Sequence, residues 1–581
     1  MYIHMPSFQV FKRCKEHFNL LLNRMYFFMR AKAYFMKYKL YQWTTAFLLV
    51  LSVFTCQQPH TQESSKITTS NIEYFLKTLA SDEFEGRKPF TNGETKTVNY
   101  LESEFKKMEL EPANGNSYFQ EVPMVEITGT PGEIMTINGK GSFDLKLKDD
   151  FIVYTERESE SVALEASELV FCGYGIVAPE YNWNDYEGID MKGKTAVVLV
   201  NDPGFGSEDS TFFKGNIMTY YGRWTYKYEE AARQGAEGII IVHETRSAGY
   251  PWSVVANSWS GSKLNLTSED KGLSKAAIQG WITLETAARL FSAAGIDNYT
   301  GKAAEQGFKP IPMGLNVSVN LENKLRYDAS KNVVAKITGK SKPDEVILYS
   351  AHWDHLGVGI PVDNDSIYNG ALDNASGVAC MLAIAQNIQL SKIQPERTIL
   401  FNIVTAEEQG LLGSAYYAAH PLYPVEKTIA NLNMDMMQAV GEMNDLTVIG
   451  YGQSELEDYA EEIAKQHGRY LMPNQNPGAG LFFRSDHFSF AKVGIPAFYA
   501  KGLNDHKEKG KEFASEQIKS FTANNYHRPS DEYQAESQDL GGMVQDAQLY
   551  LELGLKLANE PLYPKWKEGS EFKETRERKA Q

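Results

Sequence analysis

The sequence predicts an α/β protein with a mainly parallel mixed sheet, helices on both sheet faces, and a separate β-rich module inserted into the chain. Two observations predict this fold. From Val334 onward, short apolar runs alternate with helical stretches, a pattern typical of strand–helix–strand units. Between about Ser161 and Asn323 the chain instead carries a succession of β-rich runs. This middle stretch is therefore interpreted as an insertion between two parts of the main domain.

Length and composition exclude several classes of protein. A chain of 581 residues is longer than one hydrophobic core supports, so we expect several domains. With 43% hydrophobic and 23% charged residues, the composition is that of ordinary globular protein. The net charge of -16 argues against a general nucleic-acid binder, which would carry a basic face.

The cysteines exclude a thiolate metal site. Cys14, Cys56, Cys172 and Cys380 form no CxxC pair. The first two precede the predicted fold, which leaves at most one disulfide in the body. A metal ion in this protein would therefore be held by histidines and carboxylates.

Residues 1–56 are predicted to be a leader. From Met36, a short basic region, an apolar run and then Cys56 resemble a bacterial lipoprotein signal that is cleaved before this cysteine, although Thr55 stands where a smaller residue is more usual. Residues 1–35 are interpreted as an upstream extension. We expect an exported lipoprotein of a bacterial cell envelope, with its membrane contact made only through a lipid on Cys56. Plain secretion, to the periplasm or beyond, and an uncleaved anchor are the alternatives.

The remaining boundaries follow from composition and periodicity. Residues 57–70 are predicted to be a polar tether. Residues 71–160 form the first part of the main domain and open with two amphipathic helices, in "NIEYFLKTLASDEFEGR" and "ETKTVNYLESEFKKMEL". Residues 161–323 form the insert, and residues 324–560 the second part of the main domain. Residues 561–581 are expected to be a frayed, charged tail.

Histidines and acids recur at the ends of the predicted strands of the main domain. The strand candidates are "EVILYS", "RTILFNIVT", "TIANLNMD", "DLTVIG" and "GIPAFYA". Ligands of such sheets bind beyond the carboxyl ends of the strands. The candidate residues there are His352, Asp354, His355, Asp373, Glu407, Glu408, Asp435 and, in a later loop, His527.

Each of these residues has an ordinary explanation by itself. Asp373 could cap a helix, His352 could be a hydrogen-bonded core histidine, and His527 could be solvated. These separate explanations do not account for the recurrence of such residues after successive strands of one sheet. Histidines and carboxylates without thiols suit zinc, and one bridging carboxylate would suit a two-metal centre.

The adjacent acids Glu407 and Glu408 fit such a centre. Two neighbouring carboxylates at a strand end repel each other unless a cation compensates them. If Glu408 binds a metal ion, Glu407 is free to take a proton from the attacking water.

Six ordered motifs carry a resemblance to a known family. "AHWDHLG", "GALDNASG", "TAEEQGLLGS", "NMD", "RSDHFSF" and "YHRPSD" resemble the M28 family of zinc metallopeptidases. "GIDMKGKTAVVLV" and "AARQGAEGIIIV" resemble a protease-associated (PA) domain insert. The resemblance covers most of the chain from Asn71 to Ala558 and implies the zinc exopeptidase fold.

The resemblance also implies roles for particular residues. Two zinc ions per chain would be held by His352, Asp373, Asp435, Glu408 and His527, with Asp373 as the bridge. Glu407 would be the general base, Asp354 would orient His352, and Tyr526 would help to polarise the scissile carbonyl. Arg484 is a candidate substrate contact, with an internal salt bridge as the alternative. Asp486 and His487 would support the site structurally.

The resemblance implies a co-catalytic di-zinc exopeptidase that acts on peptides, and an aminopeptidase is the favoured form. A carboxypeptidase or dipeptidase on the same scaffold is the first alternative. A non-catalytic, receptor-like relative is the second, although no ligand is missing. The segment "VGIPVDNDSIY", with Asp363 and Asp365, is interpreted as a surface excursion near the cleft.

Overall fold

A computed structural model describes residues 66–258 and 261–580. The predicted leader, the lipidation site at Cys56 and most of the predicted tether lie outside the described residues. Within the described ranges, no helix combines the length and the apolar character needed to cross a membrane.

Twenty-one strands are described. In chain order they are β1 Glu111–Pro112, β2 Phe119–Pro131, β3 Ile134–Gly139, β4 Phe143–Lys146, β5 Phe151–Tyr154, β6 Ser161–Phe171, β7 Val177–Ala178, β8 Trp183–Asn184, β9 Thr195–Leu199, β10 Gly238–Val242, β11 Gly261–Leu266, β12 Ile278–Ile282, β13 Ile311–Ile337, β14 Lys342–His352, β15 Gly357–Val362, β16 Asp365–Tyr368, β17 Arg397–Val404, β18 Thr428–Asn433, β19 Asp445–Val448, β20 Tyr470–Pro473 and β21 Ala497–Lys501.

Fourteen α-helices lie within the described residues. In chain order they are α1 Thr69–Leu79, α2 Asn92–Lys107, α3 Trp224–Arg233, α4 Thr245–Ala248, α5 Trp252–Ser258, α6 Leu284–Ala294, α7 Tyr299–Ala303, α8 Ser376–Leu390, α9 Leu412–Ala419, α10 Leu456–Gln466, α11 His487–Lys492, α12 Gly510–Asn524, α13 Gly541–Asn559 and α14 Lys573–Ala580. The fold begins slightly earlier than predicted, because Ile67 is buried and Thr68 caps α1.

The sheet of the main domain has a parallel centre. Strand β14 lies between β17 and β18, and β21 follows β18, all in parallel pairs. Antiparallel pairs join β13 to β17 and β19 to β21 at the two sides. The predicted mainly parallel mixed sheet is therefore confirmed.

Helices cover both faces of this sheet because side chains alternate along its strands. On β14, Ile347, Tyr349 and Ala351 belong to the large core cluster that also contains α1, α8 and α13. Val346 and Leu348 point to the opposite cluster, which contains residues of α9 and α11. Each central strand is thus buried on both faces, and its functional groups can reach solvent only at its ends.

The middle stretch forms its own core around the parallel strands β6, β9, β10 and β12. Strands β3 to β5 pack into this core, although the sequence placed them in the first part of the main domain. The 27-residue strand β13 pairs with β3 and β6 in one half and with β17 in the other. The insert therefore shares a sheet with the main domain. Its identification as a PA domain stays a prediction.

The charged tail is ordered, so the expectation of a frayed tail is wrong. Trp566 and Phe572 are both 4% exposed, and the Trp566 indole donates to the Gly494 carbonyl at 3.0 Å. Two aromatic residues anchor this charged segment. The free energy gained by burying their large rings exceeds the cost of ordering a short segment.

A surface hairpin and two buried cysteines complete the described fold. The segment predicted as a surface excursion is the hairpin of β15 and β16, whose Ile360 is 82% exposed. Cys172 and Cys380 are buried and free. The described part of the chain therefore contains no disulfide between them.

Candidate metal centre

The predicted site residues meet at the carboxyl ends of the three central strands. His352 is the last residue of β14, Glu407 and Glu408 follow β17, and Asp435 follows β18. Because these strands are parallel neighbours, their ends lie at one edge of the sheet.

A first donor set consists of His352, Asp373 and Asp435. The His352 Nε2 atom lies 3.4 Å from Asp373 Oδ1 and 3.7 Å from Asp435 Oδ1. All three donor atoms lie within 4.8 Å of one another. The Ser485 hydroxyl donates to Asp435 Oδ2 at 2.6 Å, which leaves the other carboxylate oxygen facing the histidine.

A second donor set shares Asp373. The His527 Nε2 atom lies 3.2 Å from Asp373 Oδ2 and 3.2 Å from Glu408 Oε2. His355 approaches from another side, with its Nδ1 2.7 Å from Glu408 Oε1. Asp373 therefore turns one carboxylate oxygen to each donor set, as a bridging ligand would.

Asp373 is fixed from behind by a second buried carboxylate. Asp531 accepts hydrogen bonds from the backbone N–H groups of Leu372 and Asp373, at 3.0 and 3.1 Å. Burial raises the pKa of Asp531 to about 6, although these hydrogen bonds oppose the shift. The turn before α8 is thus held by a residue that lies four positions after His527 in the sequence.

Asp354 holds the two glutamates. Its Oδ1 accepts from the Glu407 N–H at 3.0 Å, and its Oδ2 accepts from the Glu408 N–H at 3.3 Å. Its backbone carbonyl lies 3.1 Å from His352 Nδ1, whereas its carboxylate lies 3.6 Å from that nitrogen. Asp354 thus contacts both His352 and the turn that carries the acids, and its orienting role stays a prediction.

The local charges favour a cation at this edge. Burial lowers the pKa of His352, but the neighbouring carboxylates outweigh burial and hold this pKa well above its usual value. Burial raises the pKa of Glu408, yet His527 and His355 bring it down to about 2. Burial and the charge of Glu408 raise the pKa of Glu407 well above its usual value.

The donor atoms fit zinc. Several buried polar atoms that point into the cluster have no hydrogen-bond partner within residues 66–258 and 261–580, namely His352 Nε2, His527 Nε2 and Asp435 Oδ1. Buried polar atoms are normally satisfied, so such a group of orphaned donors and acceptors indicates a bound ion. Imidazole nitrogens with carboxylate oxygens are a typical zinc ligand set.

Tyr526 and Arg484 lie beside the centre. Tyr526 is 40% exposed and stacks on the His527 ring at 3.9 Å between centroids. Arg484 forms no ion pair among the described residues, so the internal salt bridge that was its alternative role is not formed there. Asp486 and His487 are fully buried next to it. The catalytic role of Tyr526 and the substrate contact of Arg484 stay predictions.

Sequence reasoning left three residues near the centre without a role. His355 was noted in "AHWDHLG", and Asp531 lies in "YHRPSD", but neither pattern says which atom its side chain contacts. Arg223 comes from the insert, and its position depends on how the insert packs against the main domain. For His355 alone, a usable signal was its place three residues after the end of β14.

The fold and the site define an α/β domain on a mainly parallel sheet, with potential metal ligands clustered at the carboxyl ends of its central strands. Residues 332–551, which contain every predicted metal ligand, match the model of peptidase family M28. This match confirms, over these residues, the resemblance to the M28 family found in the motifs.

Curated relatives match part of the chain. An aminopeptidase NAALADL1 from Mus musculus is 33% identical over 138 residues, or 22% of this chain and 17% of the relative. A glutamate carboxypeptidase 2 homolog from Caenorhabditis elegans is 27% identical over 220 residues, or 37% of this chain and 26% of the relative. A probable zinc metalloprotease from Pyrenophora tritici-repentis is 32% identical over 149 residues, or 25% of this chain and 30% of the relative. The matches thus span less than a third of each of these relatives.

Solved structures match a larger share of the chain, but at lower sequence identity. The aminopeptidase from Aneurinibacillus sp. strain AM-1 is 20% identical, with a TM-score of 0.47, over 86% of this chain and 97% of that structure. The zinc aminopeptidase BSAP from Bacillus subtilis is 17% identical, with a TM-score of 0.41, over 87% of this chain and 97% of that structure.

Proposed function

We propose that this chain is a co-catalytic di-zinc exopeptidase, and that it acts as an aminopeptidase on peptides. The observation that carries the proposal is the position of Asp373, whose two carboxylate oxygens face two different donor sets. The family of residues 332–551 and the names of two relatives, an aminopeptidase and a zinc metalloprotease, support it.

The five donors would hold two zinc ions. His352, Asp373 and Asp435 would hold one ion, and Asp373, Glu408 and His527 would hold the other. When bound, zinc lowers the pKa of the attacking water toward ~7 and polarises the scissile carbonyl.

Three groups of the chain itself do the remaining chemistry. Glu407 takes a proton from the attacking water, whose oxygen bonds to the carbonyl carbon. As the C–N bond breaks, the same carboxyl passes the proton to the leaving amine nitrogen. Tyr526 donates its hydroxyl proton in a hydrogen bond to the carbonyl oxygen. The carboxylates of the centre attract the free α-amine of the substrate.

We also infer that the chain is exported and anchored through a lipid at Cys56. The support is the signal-like stretch that begins at Met36. Mass spectrometry of the mature N-terminus checks this inference. A mature chain that retains Met36 contradicts it.

A panel of peptides tests the exopeptidase and its polarity. The substrates are aminoacyl-anilides together with amino-blocked and carboxy-blocked dipeptides, and zinc is measured on the same sample. Two zinc ions per chain with cleavage only of free amines are expected. Cleavage only of free carboxylates would instead support the carboxypeptidase alternative. A chain with neither zinc nor turnover, even after zinc is added, would contradict the enzyme and support the receptor-like alternative.

The variant Glu407→Gln tests the base. Because Gln cannot carry the proton, kcat should fall by at least about 100-fold, while the zinc content stays at two ions per chain. Glu462→Gln, an exposed glutamate on α10, is the matched control and should keep full activity. Full turnover in Glu407→Gln would show that another group is the base.

A further inference from the structure

Two arginines from different parts of the chain lie beside the metal centre. Arg484 belongs to the main domain and directly precedes Ser485, the residue that hydrogen-bonds Asp435. Arg223 belongs to the insert and directly precedes α3. Burial has the largest effect on the pKa of Arg223 and lowers it; the charge of Arg484 lowers it further, and the charge of Glu407 opposes the shift.

Aromatic rings of the insert surround both guanidinium groups. The Arg484 Cζ atom lies 5.7 Å from the Tyr250 ring centroid, and the Arg223 Cζ atom lies 5.2 Å from the ring of Trp224. Burial raises the pKa of Tyr250, and the charges of Arg223 and Arg484 oppose this shift. Planar guanidinium groups stack on such rings while their N–H edges stay available to a ligand.

The insert is held against the main domain at this point. The Met218 N–H donates to the Pro477 carbonyl at 3.4 Å, and the Met218 side chain packs in one cluster with Phe482 and Phe483. Glu229 of α3 pairs with Lys492 at 2.9 Å. Arg223 is therefore placed by packing and does not reach the cleft on a free loop.

Neither arginine has an acidic partner. No carboxylate within the described ranges lies within ion-pair distance of either guanidinium, and the buried Nε atoms of both lack hydrogen-bond acceptors there. Burial and the charge of Arg484 lower the pKa of Arg223 to about 10, so this guanidinium keeps its charge at neutral pH. Two neighbouring cations with unused buried donors are unfavourable unless an anion joins them.

We propose that Arg223 and Arg484, set against Tyr250, bind a carboxylate of the peptide substrate beside the metal centre. A carboxylate fits because it accepts two parallel N–H bonds from a guanidinium. The carboxylate is the C-terminus of a short peptide or an acidic side chain near the scissile bond. The proposal rests on the proposed peptidase function and names the substrate class of that site.

Four matched substrates test the proposal. Ala-Ala, Ala-Ala-amide, Ala-Glu-amide and Ala-Gln-amide vary the two carboxylates separately while the free amine stays constant. The wild-type zinc enzyme should show the higher kcat/KM for at least one carboxylate-bearing peptide over its neutral partner. A preference for Ala-Ala identifies the C-terminus as the source, and a preference for Ala-Glu-amide identifies the side chain.

Variants then assign that preference to the pair. Arg223→Gln and Arg484→Gln should each lower kcat/KM for the preferred carboxylate peptide by about 10- to 100-fold. Turnover of the neutral amides should change little. Arg289→Gln removes a partly exposed arginine of the insert that contacts Asp150, so it serves as the matched control. Zinc content and thermal unfolding verify that each variant is folded. If one arginine variant does not fold, the variant of the other arginine tests the proposal.

Binding separates a failure of this proposal from a failure of the proposed function. If the enzyme cleaves no peptide, calorimetric titration of the wild-type chain with the same four peptides replaces kinetics. The proposal is supported if the wild-type chain binds the carboxylate peptide more tightly than its neutral partner and if either arginine variant abolishes this difference. Equal binding or turnover of acid and amide overturns it, as does an equal loss for charged and neutral peptides in the variants.

Discussion

The buried imidazole of His355 contacts Glu408 through one carboxylate oxygen, while His527 faces the other. A group in this position holds the rotation of the Glu408 carboxylate, so that one oxygen stays directed at Asp373 and His527. Residues that orient ligands in this way affect metal affinity without chemistry of their own. We therefore expect His355 to act as a positioning residue for the second metal ion.

The variant His355→Ala should weaken the second zinc by about 10- to 100-fold and leave the first zinc unchanged. The measurement is zinc per chain after equilibration with a graded series of a competing chelator. His420→Ala removes an exposed histidine and is the control. Loss of both zinc ions together, or of neither, would contradict a local effect on Glu408.

At the scale of elements, one buried arginine joins the segments that carry the ligands. The Arg87 guanidinium donates to the carbonyls of Leu79 at the end of α1, Trp353 after β14, and Asn369 and Gly370 before Asp373, at 2.5–2.9 Å. A planar group with five donors can serve several carbonyls at once, whereas an ammonium group is a compact point charge. The relative position of His352 and Asp373 therefore depends on this one side chain.

The variant Arg87→Lys should lower the free energy of unfolding by about 2–4 kcal/mol, because some buried carbonyls lose a charged donor. Thermal and urea unfolding measure the change, with zinc binding followed in parallel. Arg326→Lys changes an exposed arginine and should have little effect. Unfolding of Arg87→Lys at the wild-type midpoint would show that the four carbonyls are satisfied in another way.

At the scale of the whole molecule, the centre joins distant parts of the chain. Its donors come from β14, from the turn before α8, from the ends of β17 and β18, and from the loop that carries His527. Without a cation, these ends bring several buried carboxylates together. We therefore expect a bound metal to stabilise the folded chain.

Removal of zinc should lower the thermal unfolding temperature, and added zinc should restore it. A single ion at a free concentration about 100 times its Kd stabilises the folded state by about 2.7 kcal/mol. Unfolding is recorded with chelator, with zinc, and with magnesium as the control ion. An unchanged unfolding temperature in a chain shown to have lost its zinc would contradict this coupling.

The sequence by itself determined the elements and the class of the site. Helices and strands follow from local periodicity, and the parallel sheet follows from their alternation. The ligands could be proposed because parallel strands bring their carboxyl ends to one edge, so residues far apart in sequence become neighbours by rule.

Only the tertiary structure decided which atoms meet. The contact of His355 with Glu408, the support of Asp373 by Asp531, and the contact of Arg484 with Tyr250 each depend on the packing of segments that no local pattern relates. The same holds for the tail, where many charges predicted fraying but two aromatic rings pack into the core. Periodicity reports which face of an element is buried, whereas the partner on that face is chosen by the packing of the whole chain.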